Sequence, residues 1–236
     1  MIEVKNLSVN FDGETVLQNI NLTIKEGEYL LIIGKSGTGK SVLVKTILGL
    51  NKNHGGEILF DGKPLNKHKK QITSLVFQNS ALLDSMTVFQ NVALPLMENS
   101  RLKKSEIENE VQKVLTDLEI EDIASKMPSQ ISGGMKKRVA IARAIITKPK
   151  YIFYDEPTTG LDPQTTQNVL RIIKKIHNSG NITTIIITHD KRILSEKAAR
   201  IILLKKPKII FDGNYADLLS AKNNVISNYI RQDDEL

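Results

Sequence analysis

Cysteine and tryptophan are absent from this 236-residue chain, and aromatic residues make up only 5% of it. Without cysteine there is no disulfide framework, no thiolate metal site and no cysteine nucleophile. The same absence fits a reducing compartment. No apolar run approaches the roughly 18 residues that a membrane-spanning helix needs. The opening Met1-Ile2-Glu3-Val4-Lys5 lacks the basic-then-apolar layout of a secretory leader, so a soluble, cytosolic protein is expected. No stretch interleaves arginine with aromatics as a single-strand nucleic-acid binder would. Internal repeats, low-complexity blocks and long linkers are missing too.

What is present is an ordinary globular composition, 40% hydrophobic and 25% charged, which excludes extended disorder. The length suits one large domain, or a core with a subdomain, and is ample for a hydrophobic core. The net charge of +7 is spread over Lys67–Lys70, Lys103-Lys104, Lys136–Arg138 and Lys205–Lys208. Each run reads as a solvated face, and no nucleic-acid partner is implied.

Ile2–Val9 and Tyr29–Ile33 read as strands, with Asp12-Gly13 and Glu26-Gly27 supplying turns between them. Tyr29–Ile33 is apolar throughout, the mark of a strand covered on both faces in a parallel sheet. A largely apolar helix follows through Val42, Leu43, Ile47, Leu48 and Leu50, then short strands at Glu57–Phe60 and Ile72–Phe77. From Met86 to about Thr147 the pattern is helical, with a one-faced stripe of Ile107, Val111, Val114, Leu115 and Leu118. Tyr151–Tyr154, Thr183–Thr188 and Ile201–Leu204 are again strands, with a helix near Gln164–His177. The order predicts an α/β core interrupted by a helical subdomain.

Directly after the apolar strand stands Gly34-Lys35-Ser36-Gly37-Thr38-Gly39-Lys40-Ser41, a full G-x-x-x-x-G-K-[ST] match between strand and helix. Glycines let backbone N–H groups turn inward around a phosphate, and the helix N-terminus adds its positive dipole end. Lys40 would bridge the outer phosphates of a nucleoside triphosphate and Ser41 would ligate Mg²⁺. Tyr151–Tyr154 then delivers Asp155-Glu156 at the end of a buried strand. Alone such a pair is a cap or surface turn. In a chain with a P-loop, Asp155 is expected to hold the metal through its water shell, and Glu156 to polarise the attacking water as general base.

Ile131-Ser132-Gly133-Gly134-Met135 opens another helix, a second anion-binding terminus, although Ser-Gly-Gly alone also makes an ordinary cap. Taken together, the ordered motifs from Phe11 to about Phe211 resemble the ATP-binding-cassette (ABC) nucleotide-binding domain. The resemblance implies a P-loop NTPase (RecA-like) α/β core with an antiparallel β subdomain and an inserted α-helical subdomain. It divides one domain, 1–236, into a core (1–79 and 148–222), a helical subdomain (80–147) and a C-terminal extension (223–236). It also implies that Phe11 stacks on adenine, where tyrosine is commoner, and that Val16 supports the base. Gln78 would be the hinge glutamine touching Mg²⁺ and the attacking water, and His189 the switch histidine on the γ-phosphate. Ser132, Gly133, Gly134 and Met135 would contact the ATP of the opposite subunit, and Asp162, in Thr159–Asp162, would cross the dimer interface. Taken singly, His189 is a strand-end histidine and Gln78 a surface amide; their order and spacing favour the functional roles.

Two features are similar to the ATPase subunits of MCE-type (Mla-type) phospholipid transporters. The signature ends in Met135, where most cassettes carry Gln or Glu, and the hinge continues as Phe77–Val92. That resemblance implies a homodimeric ATPase using ATP and Mg²⁺, peripheral on the cytoplasmic face of the inner membrane. Its partners would be a polytopic permease and an MCE-domain lipid-binding protein, and its cargo phospholipid. The alternatives are the ATPase of an amino-acid, metal or lipoprotein-releasing transporter, or a soluble assembly ATPase. Asn223–Arg231 carries Val225, Ile226, Tyr229 and Ile230 at helical spacing before an acidic tail, Asp233-Asp234-Glu235. It would either bind a neighbour or fold back on its own core.

Overall fold

A computed structural model describes residues 1–11, 13–64, 72–195, 200–221 and 223–231. Asp12, the basic run Lys67–Lys70 and the acidic tail Asp233–Glu235 lie outside the described residues. The chain forms two compact units, Met1–Lys69 with Thr183–Leu236, and Lys70–Ile182.

The first unit begins with an antiparallel sheet. Strand β1 (Ile2–Phe11) lies between β2 (Glu14–Ile24) and β4 (Gly55–Phe60), with the short β5 (Lys63–Pro64) beyond β4. Ile2, Val4, Leu7 and Val9 of β1 are buried. Ile2 and Val4 face Ile24 and Leu22 across one edge and Phe60 and Ile58 across the other, while Leu7 and Val9 face Ile20 and Leu17. The register slips at Asn6 and Asn19, both in the left-handed region. That break explains why β2 lacks a readable alternation: its buried residues are Leu17, Ile20, Leu22 and Ile24. Gly56 is required where β4 closes on β1, because a Cβ there would stand 2.5 Å from the carbonyl oxygens of Lys5 and Asn6.

In the same unit β3 (Tyr29–Ile33) is paired in parallel with β8 (Thr183–Thr188) and β9 (Arg200–Lys205), and β10 (Lys208–Gly213) runs antiparallel to β9. Leu30 to Ile33 are buried, as a doubly covered strand requires. Helix α1 (Lys40–Ile47) turns Leu43, Val44 and Ile47 inward. Arg200 ties the edge together, with two 2.6 Å bonds to the Asp212 carboxylate and one of 2.8 Å to the Thr23 carbonyl. The Asp212 bonds hold its guanidinium protonated well beyond the ordinary range. The unit ends in α6 (Tyr215–Ser220) and α7 (Asn224–Arg231). Ile226 and Tyr229 of α7 are buried, and the Lys191 ammonium lies 5.0 Å from the Tyr229 ring centre and 3.3 Å from the Ile230 carbonyl. Through residue 231 the C-terminal stretch therefore folds back on its own unit. Strands β2 and β10 and helix α6 were not apparent from hydrophobic spacing.

In the second unit β6 (Thr73–Val76) pairs in parallel with β7 (Tyr151–Asp155), the last partners being Val76 and Tyr154. The helices are α2 (Val88–Asn99), α3 (Lys104–Asp117), α4 (Gly133–Ile145) and α5 (Pro163–Ser179). The α3 stripe buries Val111, Leu115 and Leu118, and leaves Ile107 and Val114 half-buried. A reciprocal pair, Thr87 with Gln90, caps α2. Asn91, fully buried on α2, accepts from the Leu83 amide at 2.8 Å. It also donates to the carbonyls of Leu83, Met86 and Thr87 at 3.0–3.1 Å. Among the described residues no helix is long and apolar enough to cross a membrane.

Candidate functional site

In the first unit β3 delivers the chain to Gly34, which is buried. A Cβ there would lie 2.4 Å from the Leu204 carbonyl oxygen and 2.8 Å from Thr38 Oγ1. Only glycine passes. The loop then bends through Gly37 and Gly39, both at positive φ, and α1 starts with no side-chain cap at Gly39. A helix start without a side-chain cap is the form in which a phosphate-binding loop presents its amides to an anion. The buried Lys40 ammonium donates to the carbonyls of Gly34 at 2.8 Å and Lys35 at 3.0 Å, spanning the loop from inside. Thr38 Oγ1 donates to the Lys35 carbonyl at 2.9 Å, and Ser41 sits half-buried in the first turn.

Two other candidates of this unit, His189 and Val16, lie beside this loop. Ile33 and Thr188 are register partners in parallel strands, so His189 leaves β8 beside the point where Gly34 leaves β3. His189 is exposed, and the amide of the next residue, Asp190, donates to Thr188 Oγ1 at 2.9 Å. Val16 packs on the start of α1, its Cγ1 being 3.0 Å from where a Gly39 Cβ would sit. The Phe11 ring, 43% exposed, remains available for stacking. A cavity of about 520 Å³ flanks the loop, lined by Lys35–Thr38, Lys205, Lys206 and Tyr229 of α7.

In the second unit Asp155 and Glu156 are buried at the end of β7. Glu156 is left-handed at φ 49° although it precedes Pro157, whose ring disfavours helical backbone in the preceding residue. Strain of this kind persists where surroundings over-determine it, and functional sites are where it clusters. The Glu156 carboxylate accepts from Thr159 Oγ1 at 3.2 Å. Two cations of α4 fasten the neighbouring loops. The Lys137 ammonium donates to the Gln78 carbonyl and, at 3.3 Å, to the Glu156 carbonyl. Arg143 donates to the carbonyls of Ser80 at 2.8 Å and Ala81 at 2.7 Å, two further left-handed residues. Burial lowers the pKa of both cations, and for Lys137 the carboxylates of Glu156 and Asp155 act in the opposite sense. The Gln78 side chain is exposed.

The signature residues are exposed or half-buried at the N-terminus of α4, where Ser132 Oγ accepts from the Met135 amide at 3.3 Å. Their glycines differ in purpose. A Cβ on Gly134 would meet Thr165 Cγ2 of α5 at 2.6 Å, a packing constraint, whereas one on Gly133 would meet nothing nearer than 3.8 Å. Asp162 caps α5, its Oδ1 accepting from the Thr165 amide at 3.0 Å. The bonds from Thr165 hold its carboxyl below the ordinary range.

Asp162→Ala is therefore expected to lower the melting temperature, whereas Asp162→Asn keeps a capping oxygen. Because the folded carboxyl titrates below the unfolded one, its stabilisation is complete above the ordinary carboxylate range. It is lost as pH falls through the lowered value. Thermal melts of the three proteins at neutral and acid pH check this: the gap between wild type and the Ala variant should shrink in acid.

Residues 17–159 match the family model of ABC transporters. The chain belongs to that family. Among its relatives, this ABC protein is 41% identical to the probable ABC transporter ATP-binding protein PEB1C of Campylobacter jejuni, over 93% of each chain. It is 37% identical to the methionine import ATP-binding protein MetN of Burkholderia thailandensis, over 96% of this chain and 69% of that one. Its structure matches the ATP-binding cassette MJ0796, a dimer in a post-hydrolysis state bound to ADP and Pi. That match has a TM-score of 0.81 at 32% identity, covering 91% of this chain and 99% of the other. As an ABC ATPase it takes ATP with Mg²⁺. Hard oxygen donors of the kind that ion takes are present in each unit: the Ser41 hydroxyl in the first, and the Asp155 carboxylate and Gln78 amide in the second.

The run Lys136–Arg138 reads in the sequence as a solvated face, but Lys137 is buried and bonded to two carbonyls; Arg143 carries no sequence signal of its own. The signal for Lys137 lay in α4 itself, where it shares an i, i+3, i+4, i+7 stripe with Ala140, Ile141 and Ala144, all buried. A lysine on an apolar stripe needs partners, and here it finds two carbonyls.

Proposed function

We propose that this ABC ATPase works as a head-to-tail homodimer under a polytopic permease, on the cytoplasmic face of the inner membrane, and that its cargo is phospholipid. The dimeric cassette MJ0796 supports the pairing. So does the exposure of Ser132 and Gly133, which leaves the signature open to a nucleotide held by a second copy. In this reading Phe11 and Val16 hold the adenine and Lys35 to Ser41 wrap the phosphates, with Lys40 as the charge. Ser132 to Met135 and Asp162 of the other protomer close the cage. Glu156 takes a proton from the attacking water, which Gln78 and His189 orient. Mg²⁺, when bound by Ser41, Asp155 and Gln78, neutralises charge on the phosphate oxygens. Loss of phosphate lets the pair open, and that two-state motion drives the permease.

The phospholipid assignment is carried by one observation: Met135 stands, 39% exposed, at the signature position where most cassettes have a polar residue. The Phe77–Val92 segment agrees with it, presenting Leu83 at 42% exposure. A second reading, import of an amino acid, is favoured by the relationship to MetN. The two readings share one motor, so ATPase assays do not separate them.

A mild-detergent pull-down of the tagged protein from its native membranes, with mass spectrometry of proteins and lipid, does separate them. Co-purification of an MCE-domain protein, a polytopic permease and phospholipid is the expected result. A permease accompanied by an amino-acid-binding protein would replace the cargo. Absence of any membrane partner would end the transport reading.

A further inference from the structure

Nucleotide binding and the signature leave Lys137 without a role, yet it carries a charge in one of the most enclosed positions of α4. Its side chain reaches past its own helix to two separate loops, taking the carbonyl of Gln78 and the carbonyl of Glu156. We propose that Lys137 is a positioning residue for ATP turnover, clamping the peptides of Gln78 and Glu156 to the helix whose first residues carry the signature. This inference rests on the reading of Gln78 as the hinge amide and Glu156 as the general base.

The fold does not account for the clamp. Strands β6 and β7 are already registered at Val76 and Tyr154, two residues before each of the clamped carbonyls. Lys137 therefore acts beyond the last β6–β7 pair, adding to the 3.4 Å bond that the Glu156 carbonyl accepts from the Thr159 amide. Glu156 there is left-handed ahead of a proline, and Ser80 and Ala81 after the hinge are left-handed as well. Such a backbone keeps its geometry only when outside groups fix it. An ammonium suits the task because it has three donors and no acceptor, and can serve several carbonyls at once. A methionine would fill the same volume without the cost of burying a charge, so packing alone gives no reason for a lysine. Arg143, further along the same helix, fastens the carbonyls of Ser80 and Ala81. Displacement of α4 at Ser132 would thus be passed to the hinge amide and to the base together.

The test compares steady-state ATP turnover of the full-length chain in wild type, Lys137→Met, Lys137→Arg and Glu156→Gln. Binding-competent sites are counted by titration with a fluorescent ATP analogue. Lys137→Met is expected to lower kcat per competent site on the order of 10²-fold, the usual effect of a small misplacement of reacting groups. KM for ATP should change less than about threefold, since ground-state binding does not use the clamp. Lys137→Arg, which keeps charge and donors, should recover most of the rate. An unchanged kcat per site in Lys137→Met would overturn the proposal. So would a loss confined to KM or to the number of competent sites, which is what a purely structural lysine would give. Glu156→Gln separates the two levels: turnover at the wild-type rate there removes the general-base reading, whatever the Lys137 variants do.

Discussion

Glu156→Gln is expected to lower ATP turnover by about three orders of magnitude, within the range set by removal of a general base. Affinity for ATP should hardly change. Glutamine is isosteric, so it can keep the left-handed backbone at φ 49° and still accept the 3.2 Å bond from Thr159. What it loses is the ability to take a proton from water. If ATP is bound but not cleaved, the closed pair of protomers should accumulate. Gel filtration with light scattering should then show a dimer with Mg-ATP and a monomer after exchange to ADP. Turnover close to that of wild type would assign the proton to another group.

Lys40→Ala is expected to fail one step earlier. In the proposed site the ammonium is the charge offered to the outer phosphates, and a hydrogen bond to a charged group contributes roughly 1.5–3 kcal/mol. Its loss should weaken ATP binding by roughly 10- to 150-fold. The substitution also removes the brace across Gly34 and Lys35, which share the ammonium at 2.8 and 3.0 Å. Lys40→Arg should not restore affinity, because the ammonium serves there as a compact point charge for the phosphates, which a planar fork does not reproduce. Calorimetric titration with ATP and with ADP distinguishes the γ-phosphate contribution from the rest. Near-normal affinity in Lys40→Ala would show that backbone amides alone hold the phosphates. The two variants thus divide binding from chemistry: one keeps nucleotide without cleaving it, the other never holds it.

What was legible in the sequence depended on whether the controlling interaction was local. The P-loop was fully readable because its glycines, its lysine and the strand before it form one continuous stretch, Tyr29–Ser41. Asp155-Glu156 was readable because an apolar strand announces them. The strand Glu14–Ile24 was not, since the break at Asn19 moves its buried residues out of a two-residue repeat. Gly134 looked like part of a phosphate-contacting pair, yet its missing Cβ also answers to Thr165 of α5, a long-range fact. Asp162 carries a local capping job beneath the interface role inferred for it. Lys137 and Arg143 were passed over among the basic residues for the same reason: their carbonyl partners lie on loops distant in sequence. Val225, Ile226 and Tyr229 left two fates open because an amphipathic spacing records that a face is covered, not what covers it.

Asn91 has a consequence for any helix that lands on the loop before α2. Its amide closes that loop from within, binding Leu83 from both sides and holding Met86 and Thr87 besides. The loop is thereby ordered when the chain folds rather than when it meets a partner. Fixing a residue's backbone costs about 1–2 kcal/mol of conformational entropy, and for these residues that cost is met before the encounter. The exposed Leu83 side chain is therefore presented as a rigid knob. A helix seated on it would meet a backbone already tied to α2 through Asn91, as a gear tooth is tied to its wheel.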